Sequence, residues 1–571
     1  MMKMCDYKEL IDELNKKRNV SFVGAENDDA YNGQIELLDG RTVNMRIIFP
    51  SSFPLKIPVF YVETERLEFL HTDSSGKMCL FEENSLLLNQ DDSLEILLEC
   101  FDKAYEILNI SRYSAKYQQE IRREFGAYWG AISKRHIYSC IDTETIGYSE
   151  CIILGAGNKC VLTESENDGK YLLYNYFDVS KAKECFSKKC LLIRLRENAS
   201  LPKIRGVRWR DVRNYIFSNA SSSQKRRFKN FCNIVLRKDS KLIFLILPSS
   251  DGDILFGYEI CVNNKRYTKF ENCVNTQINP IYITRLDKKF LLKRAGADSV
   301  IHDKRILLMG CGSVGGFIAD NLCAAGIENL DLLDYNDFMP ENVHRHFLGI
   351  DSALKGDKSN KADLLKEKLE EKYLHTAIDS LGYKDRTAEA FITDTAKLEQ
   401  YDLIVSALGE PTLNLEIDKI LHRKTKRIPF IVCFNEPYGI GGHVIVSNLT
   451  NESCLRCLYT DVTSSELVEF RGSFVKSNQS FKKNISGCGS AFVPYSRLDS
   501  QQTAIIATRT IIDVLDGRIS HNVVNSWVGE DDLLKAAGKK ESIYYTKFAS
   551  GSVISKETGV NQYCPICGDK G

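Results

Sequence analysis

Cys454-Leu-Arg-Cys457 and Cys564-Pro-Ile-Cys567 are two C-x-x-C pairs far apart in the chain. Each such turn presents two sulfurs to one ion, and four thiolates make the closed tetrahedral set of a structural zinc site. Neither pair follows the strand of a thioredoxin-like unit, so a redox role is the weaker reading. Two more cysteines stand in loop-like surroundings. Cys488 lies in Ile-Ser-Gly-Cys-Gly-Ser, just before a long apolar helical pattern. A thiolate near a helix N-terminus has a lowered pKa and is a good nucleophile. Cys79 lies in His71-Thr-Asp-Ser-Ser-Gly-Lys-Met-Cys79-Leu80, after a proline-punctuated stretch and before a helix. For each of these two, packing in a core is the competing reading. Gly310, Gly312 and Gly315 form G-x-G-x-x-G between a predicted strand and a predicted helix. Glycines there permit a tight turn and let phosphates approach the backbone at the helix N-terminus. NAD, FAD and ATP sites share this pattern. Asp334, at the end of the next predicted strand, suits ribose hydroxyls.

Three stretches differ in texture and are read as three domains: 1–125, 126–284 and 285–571. The first predicts a helix over Tyr7–Arg18, strands over Gln34–Leu38 and Thr42–Phe49, a bend over Phe49–Pro58 and a helix over Ser93–Asn109. Prolines at that density forbid a continuous helix. The helix–strand–loop–helix order is α+β. The middle stretch carries mixed strand signals, such as Leu242–Leu247 and Ile254–Val262, and is read as a further α+β domain of unassigned role. Its basic segment Ser221–Arg227 reads as a solvated charged loop. From 285 onward strand and helix alternate: strands over Lys304–Met309, Asn329–Leu333, Tyr401–Ala407 and Pro429–Phe434, and a helix over Gly315–Ala325. That alternation predicts a doubly wound, mainly parallel, Rossmann-like sheet.

Composition narrows the classes. Lys plus Arg and Asp plus Glu number 76 each, which gives no electrostatic support to nucleic-acid or membrane binding. Apolar residues make up 43% of 571, enough for sizeable cores. The longest apolar run is far too short for a bilayer. Nineteen cysteines without an apolar signal core suit reduced thiols, metal ligands or nucleophiles, and a cytoplasmic location is expected.

Asp334 opens Asp-Tyr-Asn-Asp-Phe-Met-Pro-Glu-Asn342-Val-His-Arg345, and Lys361 follows sixteen positions after Arg345. This resembles the ThiF/MoeB/ubiquitin-activating superfamily, with its D-x-D, N-x-x-R and later lysine. The resemblance implies ATP rather than NAD, Asn342, Arg345 and Lys361 at the nucleotide, and catalysis by Arg345 and Lys361. A guanidinium and an ammonium offset the charge that accumulates when a carboxylate attacks the α-phosphate. Two positions depart from the pattern. Asn336 stands where the second aspartate belongs, with Asp337 adjacent, and Gly409 where a Mg²⁺-binding aspartate is usual, with Glu410 next to it. The two C-x-x-C pairs resemble the zinc knuckle of the same superfamily, and Cys488 its mobile catalytic cysteine.

His71, Gly76, Cys79 and Leu80 are similar to the catalytic segment of the ubiquitin-conjugating fold, although the family's H-P-N reads His-Thr-Asp here, ending at Asp73. Together the two resemblances imply an acyl-adenylate, a thioester on Cys488, transfer to Cys79 and then to an acceptor lysine or amine. Fusions of this order resemble proteins of bacterial cyclic-oligonucleotide antiphage signalling operons (CBASS). That implies as donor the C-terminus of the operon's cyclic-nucleotide synthase, a nucleotidyltransferase of the cGAS/DncV type. It also implies a homodimer in which an arginine, for which Arg294 is the candidate, reaches the other subunit's ATP. Two other classes stay open: an adenylyltransferase acting on a sulfur carrier, and a non-catalytic ATP-binding scaffold.

Overall fold

A computed structural model describes residues 6–25, 29–63, 71–73, 75–81, 86–110, 114–144, 151–177, 179–180, 185–204, 206–232, 241–250, 252–262, 276–296, 303–355, 359–381, 395–450, 453–484 and 491–568. The chain forms two units, Met1–Asp287 and Lys288–Gly571.

The first unit begins with α1 (Tyr7–Arg18), started by the Asp6 carboxylate, which accepts from the Lys8 and Glu9 amides, and stopped by Asn19 in the left-handed region. Four strands follow as an antiparallel meander: β1 (Ser21–Gly24), β2 (Ala30–Glu36), β3 (Thr42–Ile48) and β4 (Val59–Glu63). The strand predicted over Gln34–Leu38 starts earlier and stops at Glu36, because the Leu37 amide turns to the Arg41 carbonyl and closes the hairpin. α2 (Ser93–Leu108), capped by Asp92, buries Leu97, Phe101, Ala104 and Leu108 at helical spacing in the same core as Ile47 and Phe60.

α3 (Ala115–Ile132) leads into a closed barrel. Its strands are β5 (Arg135–Ser139), β6 (Cys151–Ala156), β7 (Lys159–Thr163), β8 (Phe186–Arg194), β9 (Lys241–Leu247), β10 (Ile254–Val262) and β11 (Thr276–Arg285), in the order β10-β11-β5-β7-β6-β8-β9. Alternate residues feed two cores. Ile137, Ile153, Leu162, Leu192, Phe244, Leu255 and Ile281 form an inner core that draws on all seven strands. Ile193, Leu245, Phe256 and Tyr258 form an outer one with Phe125 and Trp129 of α3. β9 is apolar from Leu242 to Leu247 because both its faces are covered. α4 (Glu166–Tyr176) packs on β6 and β7. α5 (Trp209–Asn219) and α6 (Ser222–Cys232) bury Trp209, Ile216 and Phe228 in the outer core. The basic segment predicted as a loop is therefore the start of α6. Ser221 accepts from the Gln224 amide, and Gln224 and Phe228 are buried one turn apart, which leaves the charges on the outer face.

The second unit starts with α7 (Lys288–Arg294) and then alternates: β12 (Arg305–Met309), α8 (Ser313–Ala324), β13 (Asn329–Leu333), β14 (Ala377–Ser380), β15 (Leu403–Ser406) and β16 (Phe430–Asn435). Then come β17 (Gly441–Ser447), the short pair β18 (Lys483–Asn484) and β19 (Ala491–Phe492), β20 (Val523–Val528) and β21 (Val553–Glu557). The eight-stranded sheet runs β14-β13-β12-β15-β16-β17-β20-β21. It is parallel across the five strands from β14 to β16 and antiparallel beyond, so the expected mainly parallel sheet carries three antiparallel strands at one end. The turn Pro437–Gly439 joins β16 to β17 and leaves no room for a crossover helix. The helix Arg497–Leu515 lies on β16, β17 and α8 through Ala504, Ala507 and Ile511. Among the described residues no helix is long and apolar enough to cross a membrane.

Candidate functional site

The first βα turn of the second unit is held by backbone constraints. Gly310 has φ 90°, and a Cβ there would lie 2.8 Å from the Ala407 carbonyl. A Cβ on Gly315 would meet the Gly310 carbonyl oxygen at 1.8 Å, so helix and turn touch through bare backbone. A Cβ on Gly312 would meet nothing within 4 Å. That glycine faces open space, as a position approached by a ligand should. Gly312 is also the N-cap of α8 and supplies no capping side chain, so the first amides of that helix are left to an anion.

Asp334, buried at the end of β13, fastens the turn. One of its oxygens accepts from the Cys311 amide at 2.7 Å, the other from the Asn336 amide at 2.8 Å. Its remaining lone pairs stay open to a hydroxyl. Asn360 donates to the Asp334 carbonyl and caps the helix Lys361–Lys372 by accepting from the Ala362 and Asp363 amides. The Lys361 amide donates to the Asn336 carbonyl at 2.9 Å. Asn336, which departs from the superfamily pattern, and its neighbour Asp337 therefore do structural work: Asn336 through its backbone, and Asp337 by accepting from the Ser359 hydroxyl. Asn342 caps its own short turn by accepting from the Met339 amide.

Gly310, Gly312, Asp334, Asn342, Arg345 and Lys361 line one cavity of about 190 Å³, together with Glu410, Ser313, His346 and Tyr495. The six sequence-predicted nucleotide residues on that wall come from four separate segments. Gly315 stands behind the turn, not on the wall. The Arg345 guanidinium lies 5.6 Å from the Tyr495 ring and 5.8 Å from that of Phe492, and the Tyr495 hydroxyl meets Ser313 Oγ at 3.0 Å. Glu410 is the N-cap of the helix Pro411–His422, at the cavity edge. Arg294 is exposed at the end of α7 and is not among the cavity's lining residues.

His346 was not singled out from the sequence. It is buried beneath the turn, its Nε2 at 2.6 Å from the Cys311 carbonyl and its Nδ1 accepting from the Leu348 amide at 3.0 Å. Those partners fix the neutral tautomer with hydrogen on Nε2. Burial pushes its pKa down to about 4, and neighbouring Lys361, Arg345 and Arg497 add to the shift. Only its place next to Arg345 could have flagged it.

The four paired cysteines come together. Cys454, Cys457, Cys564 and Cys567 place their sulfurs within 4.8 Å of one another, with separations of 3.6, 3.1 and 3.4 Å for three of the pairs. A tetrahedral zinc ion with bonds near 2.3 Å needs sulfur separations of roughly 3.8 Å, close to these. The Asn561 amide points at Cys457 Sγ, and the Gly568 amide closes the second turn on the Cys564 carbonyl. An amide aimed at sulfur, as that of Asn561 is, stabilises a thiolate. The set fits zinc. Cys488 lies outside the described residues. β18 and β19, which pair Lys483 with Phe492, stand on either side of its segment.

In the first unit Cys79 is exposed. Its amide donates to the His71 carbonyl at 2.7 Å, and Gly76 bends the chain at φ 84°, where a Cβ would lie 2.2 Å from the Val62 carbonyl oxygen. Asp73 is engaged within its own turn. Its Oδ1 accepts from the Ser75 amide and hydroxyl and from the Lys77 amide. Burial opposes its ionisation, but those hydrogen bonds prevail and hold its carboxyl below the usual range. His71, itself at φ 55°, donates its amide to the Tyr128 hydroxyl of α3. Cys79 opens on a cavity of about 710 Å³.

Residues 287–529 match the ThiF family and residues 18–137 the Prokaryotic E2 family B. The ATP-dependent ubiquitin transferase-like protein Cap2 of Pseudomonas aeruginosa is 22% identical over 466 residues, covering 78% of this chain and 80% of that protein. The protein of the same name from Vibrio cholerae is 27% identical over 271 residues, covering 46% of this chain and 44% of its own length. Among solved structures, Escherichia coli MccB with MccA-N7isoASN aligns at 16% identity with a TM-score of 0.33, covering 47% of this chain and 68% of that one.

Proposed function

We propose that this chain, in which a ThiF domain follows a prokaryotic E2-type domain, is an ATP-dependent ubiquitin transferase-like enzyme that activates the C-terminal carboxylate of a partner protein. The carboxylate attacks the α-phosphate of ATP and pyrophosphate leaves. The acyl group then passes to Cys488, to Cys79 and finally to an acceptor amine, each step exchanging one activated acyl bond for the next. The observation that carries this reading is the convergence of Gly310, Gly312, Asp334, Asn342, Arg345 and Lys361 on one polar cavity, in a chain that also exposes Cys79 in a glycine-bent loop.

In this reading the α8 N-terminus and the Gly312 turn receive phosphate oxygens, and Asp334 receives the ribose. Arg345 and Lys361 balance the charge that grows on the leaving pyrophosphate. Mg²⁺ would neutralise phosphate oxygens there, with Glu410, on the cavity wall, as the protein carboxylate that would hold it. Zinc on the four cysteines would tie the segment 561–568 to the turn Cys454–Cys457. A homodimer, in which Arg294 serves the nucleotide of a second copy, belongs to the same proposal. So do a cyclic-nucleotide synthase as donor, a role in antiphage signalling and a cytoplasmic setting.

ATP–pyrophosphate exchange with purified chain and candidate donors tests the first step. Exchange should need a donor with a free C-terminal carboxylate and fall by about 10²–10³ in Arg345→Ala. A Cys79→Ser chain incubated with ATP and donor should trap an oxyester at position 79 on a non-reducing gel. Absence of exchange with every polypeptide encoded beside the gene would end the proposal.

A further inference from the structure

Arg345 enters the nucleotide cavity between aromatic rings. Its guanidinium lies 5.8 Å from the Phe492 ring and 5.6 Å from the Tyr495 ring, and among the described residues no carboxylate pairs with it. The distinction matters for an arginine that must meet a phosphate. A carboxylate partner would have to be displaced first, because it occupies the same N–H donors. The face of a ring attracts the cation and leaves those donors uncommitted.

The Tyr495 ring is aimed by constraints on both sides of it in the chain. Pro494, just before it, accepts from the Tyr438 amide in the turn that joins β16 to β17. Ser496, just after it, caps the helix Arg497–Leu515. The Ser496 hydroxyl accepts from the Asp499 amide at 3.3 Å, and the Ser496 amide donates to the Asp499 carboxylate at 2.6 Å. Phe492 belongs to β19, where it pairs with Lys483 of β18. The Tyr495 hydroxyl, 3.0 Å from Ser313 Oγ, ties the ring to the first turn of α8. One side chain on the cavity wall thus touches two groups that phosphates would meet there, a helix N-terminus and a guanidinium. No linear motif marks it, since it lies far beyond both the glycine turn and Asn342-Val-His-Arg345 in the chain.

We propose that Tyr495 is a positioning residue of the nucleotide site. Its ring, with that of Phe492, holds Arg345 ready for the β- and γ-phosphates and so sets a preference for a nucleoside triphosphate over a monophosphate. The proposal rests on the proposed function and deepens it. AMP lacks the two outer phosphates and makes no use of a guanidinium poised for them. With a ring removed, Arg345 samples other rotamers, and part of the free energy of binding the outer phosphates goes into ordering it again.

The test measures the affinities of the full chain for ATP and for AMP by calorimetry in excess magnesium chloride. Tyr495→Leu should lower the ratio of ATP to AMP affinity about fivefold, the size of one cation–ring contact. Tyr495→Phe keeps the ring and should hold the wild-type ratio to within about twofold. In an Arg345→Ala chain, where no guanidinium is left to position, Tyr495→Leu should change the ratio no further. Phe492→Leu removes the other ring and should lower the ratio in the same direction, which gives a second reading where Tyr495→Leu does not fold. A ratio unchanged by loss of either ring, or a proportional loss of both affinities, would overturn the proposal. So would a Tyr495→Phe chain as poor as Tyr495→Leu, or an equal fall in the Arg345→Ala background. A wild-type chain that binds no ATP at all would end the proposed function and this inference with it, so the two failures are told apart.

Discussion

The nucleotide cavity and the Cys79 cavity solve opposite problems. The first is small, about 190 Å³, and its turn is fixed in place by Gly310 and Gly312 on the wall, amides on Asp334 and a buried imidazole beneath. The second is larger, about 710 Å³, apolar over much of its wall, and leaves its thiol exposed. A site for phosphates profits from donors fixed before the ligand arrives, because no reorganisation is then needed as charge develops. A thiol that takes an acyl group from one macromolecule and hands it to another must remain open to both. Rigidity belongs to the first site and access to the second.

The comparison breaks most severely if zinc is not what anchors the second unit. Chelation with a high-affinity chelator should remove on the order of 10 kcal/mol of binding free energy and collapse that unit's thermal transition. Elemental analysis should find one zinc per chain beforehand. An unchanged melting profile after the metal is gone would detach the cysteines from the fold.

Glycine substitutions sharpen the contrast between shape and access. Gly315→Ala, which drives a Cβ into the Gly310 carbonyl, should destabilise the second unit by more than about 3 kcal/mol. Gly312→Ala, whose Cβ meets no protein atom, should fold normally and lose only nucleotide affinity. Calorimetry paired with ATP binding separates the two, and equal melting temperatures would refute the packing argument.

His346 gives the second unit an acid limit. Its pKa lies at about 4 in the fold against an ordinary 6.5, so between those values the unfolded chain binds the extra proton and the folded chain does not. Stability present above pH 6.5 is therefore lost as pH falls toward 4, by ~3 kcal/mol in all. Urea denaturation across that window should show this slope, and His346→Gln should flatten it.

The smallest effect belongs to the thiol loop. Asp73→Asn keeps an acceptor oxygen for the Ser75 and Lys77 amides and should cost about 1 kcal/mol, with thioester reactivity at Cys79 unchanged. A large fall in aminolysis would instead put Asp73 at the reaction centre.

Legibility followed the range of the forces involved. α1 was readable to the residue because its caps and its apolar spacing are local. Four strands of the second unit, β12, β13, β15 and β16, were readable because buried parallel strands are short apolar runs, whereas β14 and the antiparallel strands from β17 onward were not. The nucleotide residues could be chosen from a linear motif, and the cavity brings six of them together. The barrel was not legible, since closure depends on pairings such as β11 with β5 that no local pattern encodes. The basic run of α6 looked like loop because its charges dominate the string, while Gln224 and Phe228, which hold it down, are only two residues. His346 was invisible because its task is to support a carbonyl thirty-five positions away.

The hydrogen bond from the Cys79 amide to the His71 carbonyl also bears on timing. A donor already committed to the protein cannot greet the oxygen of an acyl group attached to the adjacent sulfur. A thioester parked at this position would lack its nearest electrophilic help and would resist stray water. In the proposed relay such a loop would act as a store that keeps its cargo until a suitable nucleophile arrives.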